Sequence, residues 1–204
     1  MLYTRLKNHL RENLAAYCLL LISFSLGLGL GQAEIQLLPE PVGAELQQEL
    51  ERSVPAGFSQ AVFWQAFFPQ LKSMLLIWFL GMTLIGSPLI LGVLFYRGIS
   101  LGFTFHWLFH LRSWQGLGLF LASVLPQNLI YLPCLGIWSV LALKLSGNIL
   151  RNIRRKKKKP PVSFPSLFLK YQLLLPVFLC FTAAGALVEA WLAPRLFSWL
   201  VTFV

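Results

Sequence analysis

From residue 71 to residue 133 the chain is overwhelmingly apolar, yet the run is interrupted by Gly86-Ser87-Pro88, Arg97-Gly98, Arg112 and Pro126-Gln127-Asn128. Hydrocarbon offers no water to a freed backbone N–H or C=O, so each such group is costly unless a neighbour satisfies it. A passive anchor has no need of prolines and amides inside its apolar segments. The interruptions therefore describe a membrane-embedded core with internal structure, and they are where function is to be sought.

Charge usage supports this. Only 12% of the 204 residues are charged and 57% are hydrophobic, against about 25% charged in an ordinary soluble domain. Several apolar runs reach the ~20 residues that a bilayer crossing needs. The expected fold class is an all-α integral membrane protein with about five transmembrane helices and proline-broken segments. There is no Asp, and five of the seven Glu fall between Glu34 and Glu51, leaving Glu12 and Glu189. Residues 52–188 hold no carboxylate. That absence argues against acid–base or metal-dependent hydrolysis in the core, and against proton coupling by an intramembrane acid. Cys18, Cys134 and Cys180 lie singly in different apolar segments and read as small buried hydrophobes rather than a disulfide framework.

The segments follow in order. Residues 1–13 form a cytoplasmic N-terminus with Arg5, Lys7 and Arg11, and 14–32 a first transmembrane helix. Its apolar run is longer than the ~7–15 residues of a signal-peptide core, so it reads as uncleaved. Gly27, Gly29 and Gly31 suit close helix packing. Residues 33–70 are an extracytoplasmic loop. Its acidic half holds Leu46 and Leu50 at helical spacing among Glu45, Glu49 and Glu51. Its aromatic half, with Phe63, Trp64, Phe67 and Phe68, suits the headgroup level. Residues 71–145 are the broken-helix membrane core, read as runs 71–96, 98–111 and 116–143. A basic cytoplasmic loop, 146–166, precedes the last transmembrane helix, 167–192, and an extracytoplasmic tail, 193–204.

Seven of the nine residues 151–159 are basic: Arg151, Arg154, Arg155, Lys156, Lys157, Lys158 and Lys159. Their role is topogenic, with anionic-lipid contact. No aromatic interleaving or folded module points to nucleic acid. With this loop and the N-terminus inside, and 33–70 outside, an odd number of crossings joins residue 70 to residue 144. Three crossings give five spans with the C-terminus outside. One crossing plus a re-entrant hairpin over 98–143 satisfies the same parity.

Candidate helix-break or partner-contact residues are Pro88, Arg97, Gly98, Gly102, Pro126, Gln127, Asn128 and Pro133. Arg97 marks the expected turn between the second and third spans. Gly98 and Gly102 offer a small-residue packing face. Gln127 and Asn128, beside Pro126, are placed to satisfy backbone groups that the helix break releases. His106 and His110 share a helical face, but a zinc site wants three or four ligands, so no metal and no cofactor is expected.

The interruptions also carry a family resemblance. Leu75-Leu-Ile-Trp-Phe-Leu-Gly-Met-Thr-Leu-Ile-Gly-Ser-Pro-Leu-Ile90, Phe95-Tyr-Arg-Gly-Ile-Ser-Leu-Gly-Phe103 and Leu121-Ala-Ser-Val-Leu-Pro-Gln-Asn-Leu-Ile-Tyr-Leu-Pro133 resemble, in order and spacing, the stage II sporulation protein M family. Ser87 departs from the apolar residue more usual there. The resemblance implies a non-enzymatic, multi-pass scaffold acting in endospore formation at the septal or engulfing membrane. It also implies that the chain recruits or localises two peptidoglycan-degrading partners, stage II sporulation proteins D and P, and that it carries no catalytic residues. Membrane lipid is the other expected partner. The alternative is a permease-like or lipid-handling protein that uses the broken helices around 126–128.

Overall fold

The computed structural model describes residue 11 and residues 13–34, 60–154 and 164–202. Five long helices carry these residues, with no strand among them: α1 Leu14–Glu34, α2 Gln60–Gly81, α3 Gly86–Leu119, α4 Leu125–Arg154 and α5 Phe164–Thr202. A π-helical turn, Phe120–Val124, joins α3 to α4. Four segments are long and apolar enough to cross a membrane: Leu14–Glu34, Gly86–Leu111, Leu125–Leu150 and Phe168–Trp191. The chain is thus a multi-pass membrane protein. The expected amphipathic helix near Glu45–Glu51 and the basic residues 155–159 lie outside the described residues.

The most extensive helix pairing is α1 against α3, and glycines set it. A Cβ on Gly27 or Gly31 would collide with the Phe95 or Ile99 carbonyl of α3. A Cβ on Gly98 or Gly102 would collide with the Phe24 or Leu28 carbonyl of α1. Backbone therefore packs on backbone, as small-xxx-small spacing permits in a membrane where helices gain nothing from hiding apolar surface. Rising residue numbers on one helix meet rising numbers on the other, so α1 and α3 are parallel. Ser23 extends the seam by donating from Oγ to the Leu91 carbonyl at 2.9 Å. Gly29, which has open space beside it, takes no part.

The other helices alternate in direction. α2 returns against α3 and turns at 82–85, where a Cβ on Gly86 would strike the Leu80 carbonyl. Ser146 of α4 donates to the Thr83 carbonyl at 2.9 Å and accepts from Ser87 at 3.2 Å, satisfying backbone that the turn exposes. Pro88 lies in the first turn of α3, where its missing N–H costs no hydrogen bond. α3 kinks at Ser113 (φ 48°, ψ −122°), and Gly116 folds back over Leu108. α4 then runs beside α2, with Trp138 Nε1 donating to the Met74 carbonyl at 3.2 Å. α5 runs against α4, stacking Tyr171 on Trp138 at 4.6 Å. The interior cluster gathers Met74, Ile77, Ile90, Trp138, Leu145 and Tyr171.

Several sequence expectations shift. Between residues 70 and 144 the chain forms three helices of alternating direction. The first of these spans Gln60–Gly81 rather than 71–96, and its turn falls at 82–85 rather than at Arg97. The aromatic segment expected in the loop belongs to α2. Arg97 sits inside α3 because three other helices surround its charge, as described below. Cys134 is buried, but Cys18 and Cys180 are exposed; in lipid an outward face is as apolar as an inward one.

The glycine seam makes a sharp prediction. Gly98→Ala forces α1 and α3 apart and lowers the folded fraction in detergent. Gly92→Ala, which meets open space, is neutral or gains up to about 1 kcal/mol from helix propensity. Thermal unfolding of the two purified variants distinguishes them, and equal behaviour contradicts the seam.

Candidate functional site

The bundle assembles one polar cluster at membrane depth. Arg97 of α3 donates from Nη2 to the Oε1 of Gln70 on α2, and it interacts electrostatically with Tyr131 of α4 and Glu189 of α5. Tyr131 donates its hydroxyl proton to Glu189 Oε2 at 3.3 Å. The Gln127 side-chain amide, with its nitrogen oriented towards Glu189, donates to both carboxylate oxygens at 2.7 Å, an assignment made from the hydrogen-bond network. Gly185, one turn before Glu189, is pressed onto the Tyr131 ring, where a Cβ would have no room. Four helices thus place one guanidinium, one carboxylate, two amides and a phenol in a single network.

This arrangement corrects the reading of the core as free of carboxylate. Glu189 lies within the span Phe168–Trp191, and α5 runs against α4, which returns it to the core beside Gln127 and Tyr131. An acid and an arginine compensate each other in a medium that strongly disfavours an isolated charge. The signal was visible in the sequence as one carboxylate inside an otherwise apolar final run. Its partners were not, because they are 58 and 62 residues away and the helix directions decide who meets whom. Gln70 stands at the end of the expected extracytoplasmic loop, 33–70, and the structure instead places it within α2, bonded to Arg97.

The other candidates separate. Gly98 and Gly102 turn to α1. Pro88 lies at the opposite end of the bundle, near Ser146. Asn128 donates from Nδ2 to the Val124 carbonyl at 2.7 Å, serving backbone where the π-helical turn meets Pro126. Pro133 continues within α4 and lines a cavity of 510 Å³ between α1, α3 and α4, together with Phe24, Leu28, Gln32, Phe105 and Asn128. Arg151 and Arg154 lie at the end of α4. The His106 and His110 rings stack at 6.5 Å, and among the described residues no three His, Cys, Asp or Glu side chains gather.

The network is testable by coupling. Glu189→Leu strands Gln127, Tyr131 and Arg97, and is expected to cost about 2 kcal/mol or more, since hydrogen bonds to a charged group contribute about 1.5–3 kcal/mol each. Arg97→Met combined with Glu189→Leu costs less than the sum of the two single variants, because neither charge is then left alone. Strict additivity in detergent unfolding contradicts the electrostatic coupling of Arg97 and Glu189.

Comparisons with known proteins agree with the order of the sequence elements. The family model described as stage II sporulation protein M matches residues 16–194. No curated protein and no solved structure matches. The match takes in the greater part of every helix, the glycine seam and every member of the polar network, and the chain belongs to the stage II sporulation protein M family.

Proposed function

We propose that this chain is a non-enzymatic membrane scaffold for endospore formation that recruits or localises peptidoglycan-degrading proteins, in this family the stage II sporulation proteins D and P, at the septal membrane during engulfment. Family membership supplies the sporulation setting. The observation that carries the scaffold reading is how the core polar groups are used: Arg97 bonds Gln70, Gln127 and Tyr131 bond Glu189, and the two sets interact electrostatically, so that four helices share them. Such a network fixes helix positions.

The basic run after α4 assigns that end of the bundle to the cytoplasm. With the helices alternating, the N-terminus is inside and the C-terminus outside. The α1–α2 connection and the α3–α4 hairpin then face the side where peptidoglycan is degraded. Replacing residues 35–59 with an unrelated linker of equal length is expected to abolish hydrolase localisation in sporulating cells, scored by fluorescence microscopy. Localisation that survives the exchange removes this connection as the docking surface.

The cavity between α1, α3 and α4 favours one second reading, a lipid-handling protein. Its walls are apolar apart from the amides of Gln32 and Asn128, which suits an amphiphile. Leu28→Trp fills it. Engulfment lost with hydrolase localisation intact would favour lipid handling, whereas both retained would favour the scaffold.

A further inference from the structure

α2 is the one long helix of the bundle outside the four segments apolar enough to cross a membrane. Yet it packs against α3, α4 and α5 at their own depth: Gln70 meets Arg97, Met74 meets Trp138 and Trp78 meets Gln172. What makes it polar is in part its outward face. Gln65, Phe68, Lys72, Leu75 and Phe79 are all exposed and alternate in steps of three and four, which is the seam spacing of paired helices.

Lys72 lies between Gln70 and Met74 in sequence, hence at membrane depth, but about 200° around the helix from Gln70, so it turns away from the internal network. Among the described residues it has no ion pair and no hydrogen bond. Glu189 is already engaged by Gln127 and Tyr131. A second copy meeting this face about a two-fold axis would bring lysine towards lysine. The charge calls for an acid from elsewhere.

We propose that the outward face of α2 docks a membrane-spanning helix of a different protein, one that carries a carboxylate at mid-membrane depth opposite Lys72. Gln65, two turns away on the same stripe, meets a second polar group on that helix, and Phe68, Leu75 and Phe79 pack between. This rests on the scaffold reading only in that a scaffold has a partner, and it states where that partner's helix binds and by what chemistry.

The test reconstitutes the full chain in phosphatidylcholine vesicles with a fluorophore-labelled Leu/Ala helix bearing Glu, Gln or Leu at its centre. Association is read by energy transfer. The Glu helix is expected to bind about tenfold more tightly than the Leu helix, the range of one interhelical polar contact. Lys72→Met removes that preference, and Lys72→Glu transfers it to a helix with a central Lys. Lys72 faces outward, so these variants keep the fold, which retained thermal unfolding verifies. Equal binding of the three helices overturns the proposal, as does a Glu preference that survives Lys72→Met. Lys72-dependent pairing of copies, or Lys72-dependent enrichment of phosphatidylglycerol with no helix preference, also overturns it and identifies the other occupant. Hydrolase localisation in Lys72→Met cells is scored separately. If it persists without any helix preference, this docking face fails and the scaffold reading stands.

Discussion

Everything in this bundle is arranged around the backbone contact between α1 and α3. Where helices lie in lipid, apolar surface gives no reason to associate, and close approach, dispersion and weak Cα–H···O contacts take over. Gly27, Gly31, Gly98 and Gly102 give this approach by removing the Cβ atoms that would meet carbonyls of the facing helix. Because the two helices are parallel, the chain between them must return once, which makes α2 a full member of the bundle despite its glutamines and Lys72. The order of the remaining helices follows from short connections: the turn at 82–85 and the fold-back at Ser113–Gly116.

The polar network is the second organising element, and it depends on the first. The seam turns Gly98 to α1 and leaves Arg97, its neighbour, to face the other helices. Gln70, Tyr131, Gln127 and Glu189 then converge on one region from α2, α4 and α5. A charged side chain at this depth is tolerated because its counter-charge and hydrogen-bond partners come with the fold. This network, the Ser146–Thr83 contact and the Asn128–Val124 contact use polarity to hold helices or mend helix breaks, the economy expected of a scaffold.

How far the sequence speaks depends on range. The all-α membrane class and the family were legible, since long uncharged runs and the ordered Trp-Phe-Leu-Gly, Arg-Gly and Leu-Pro-Gln-Asn elements are properties of the chain itself. Boundaries were harder. Arg97-Gly98 has the composition of a turn, and only contacts 27 or more residues away in sequence show why a helix accepts it. The true turn at 82–85 has weak punctuation, and Gly86-Ser87-Pro88, which interrupts an otherwise apolar run, is the start of the next helix. Glu189 was assigned no partner because nothing local links it to Gln127 and Tyr131. The start of α2 is hard to place from sequence because Gln65, Gln70 and Lys72 give its first half the composition of an aqueous segment, although Gln70 bonds Arg97 inside the bundle.

For function, the bundle joins an interior held by polar contacts between helices to two surfaces: the largely apolar cavity beside α1 and the lysine-bearing stripe of α2. Both readings of the protein rest on the helices crossing in alternation, with α1 and α3 pointing the same way. Single cysteines at Thr83 and Gln115, in a chain whose native cysteines are replaced, test this directly with a membrane-impermeant maleimide. Position 83 should label only from the side that holds residues 151–159, and position 115 only from the opposite side. Labelling of both from one side would mean that α3 re-enters rather than crosses, and would contradict the account.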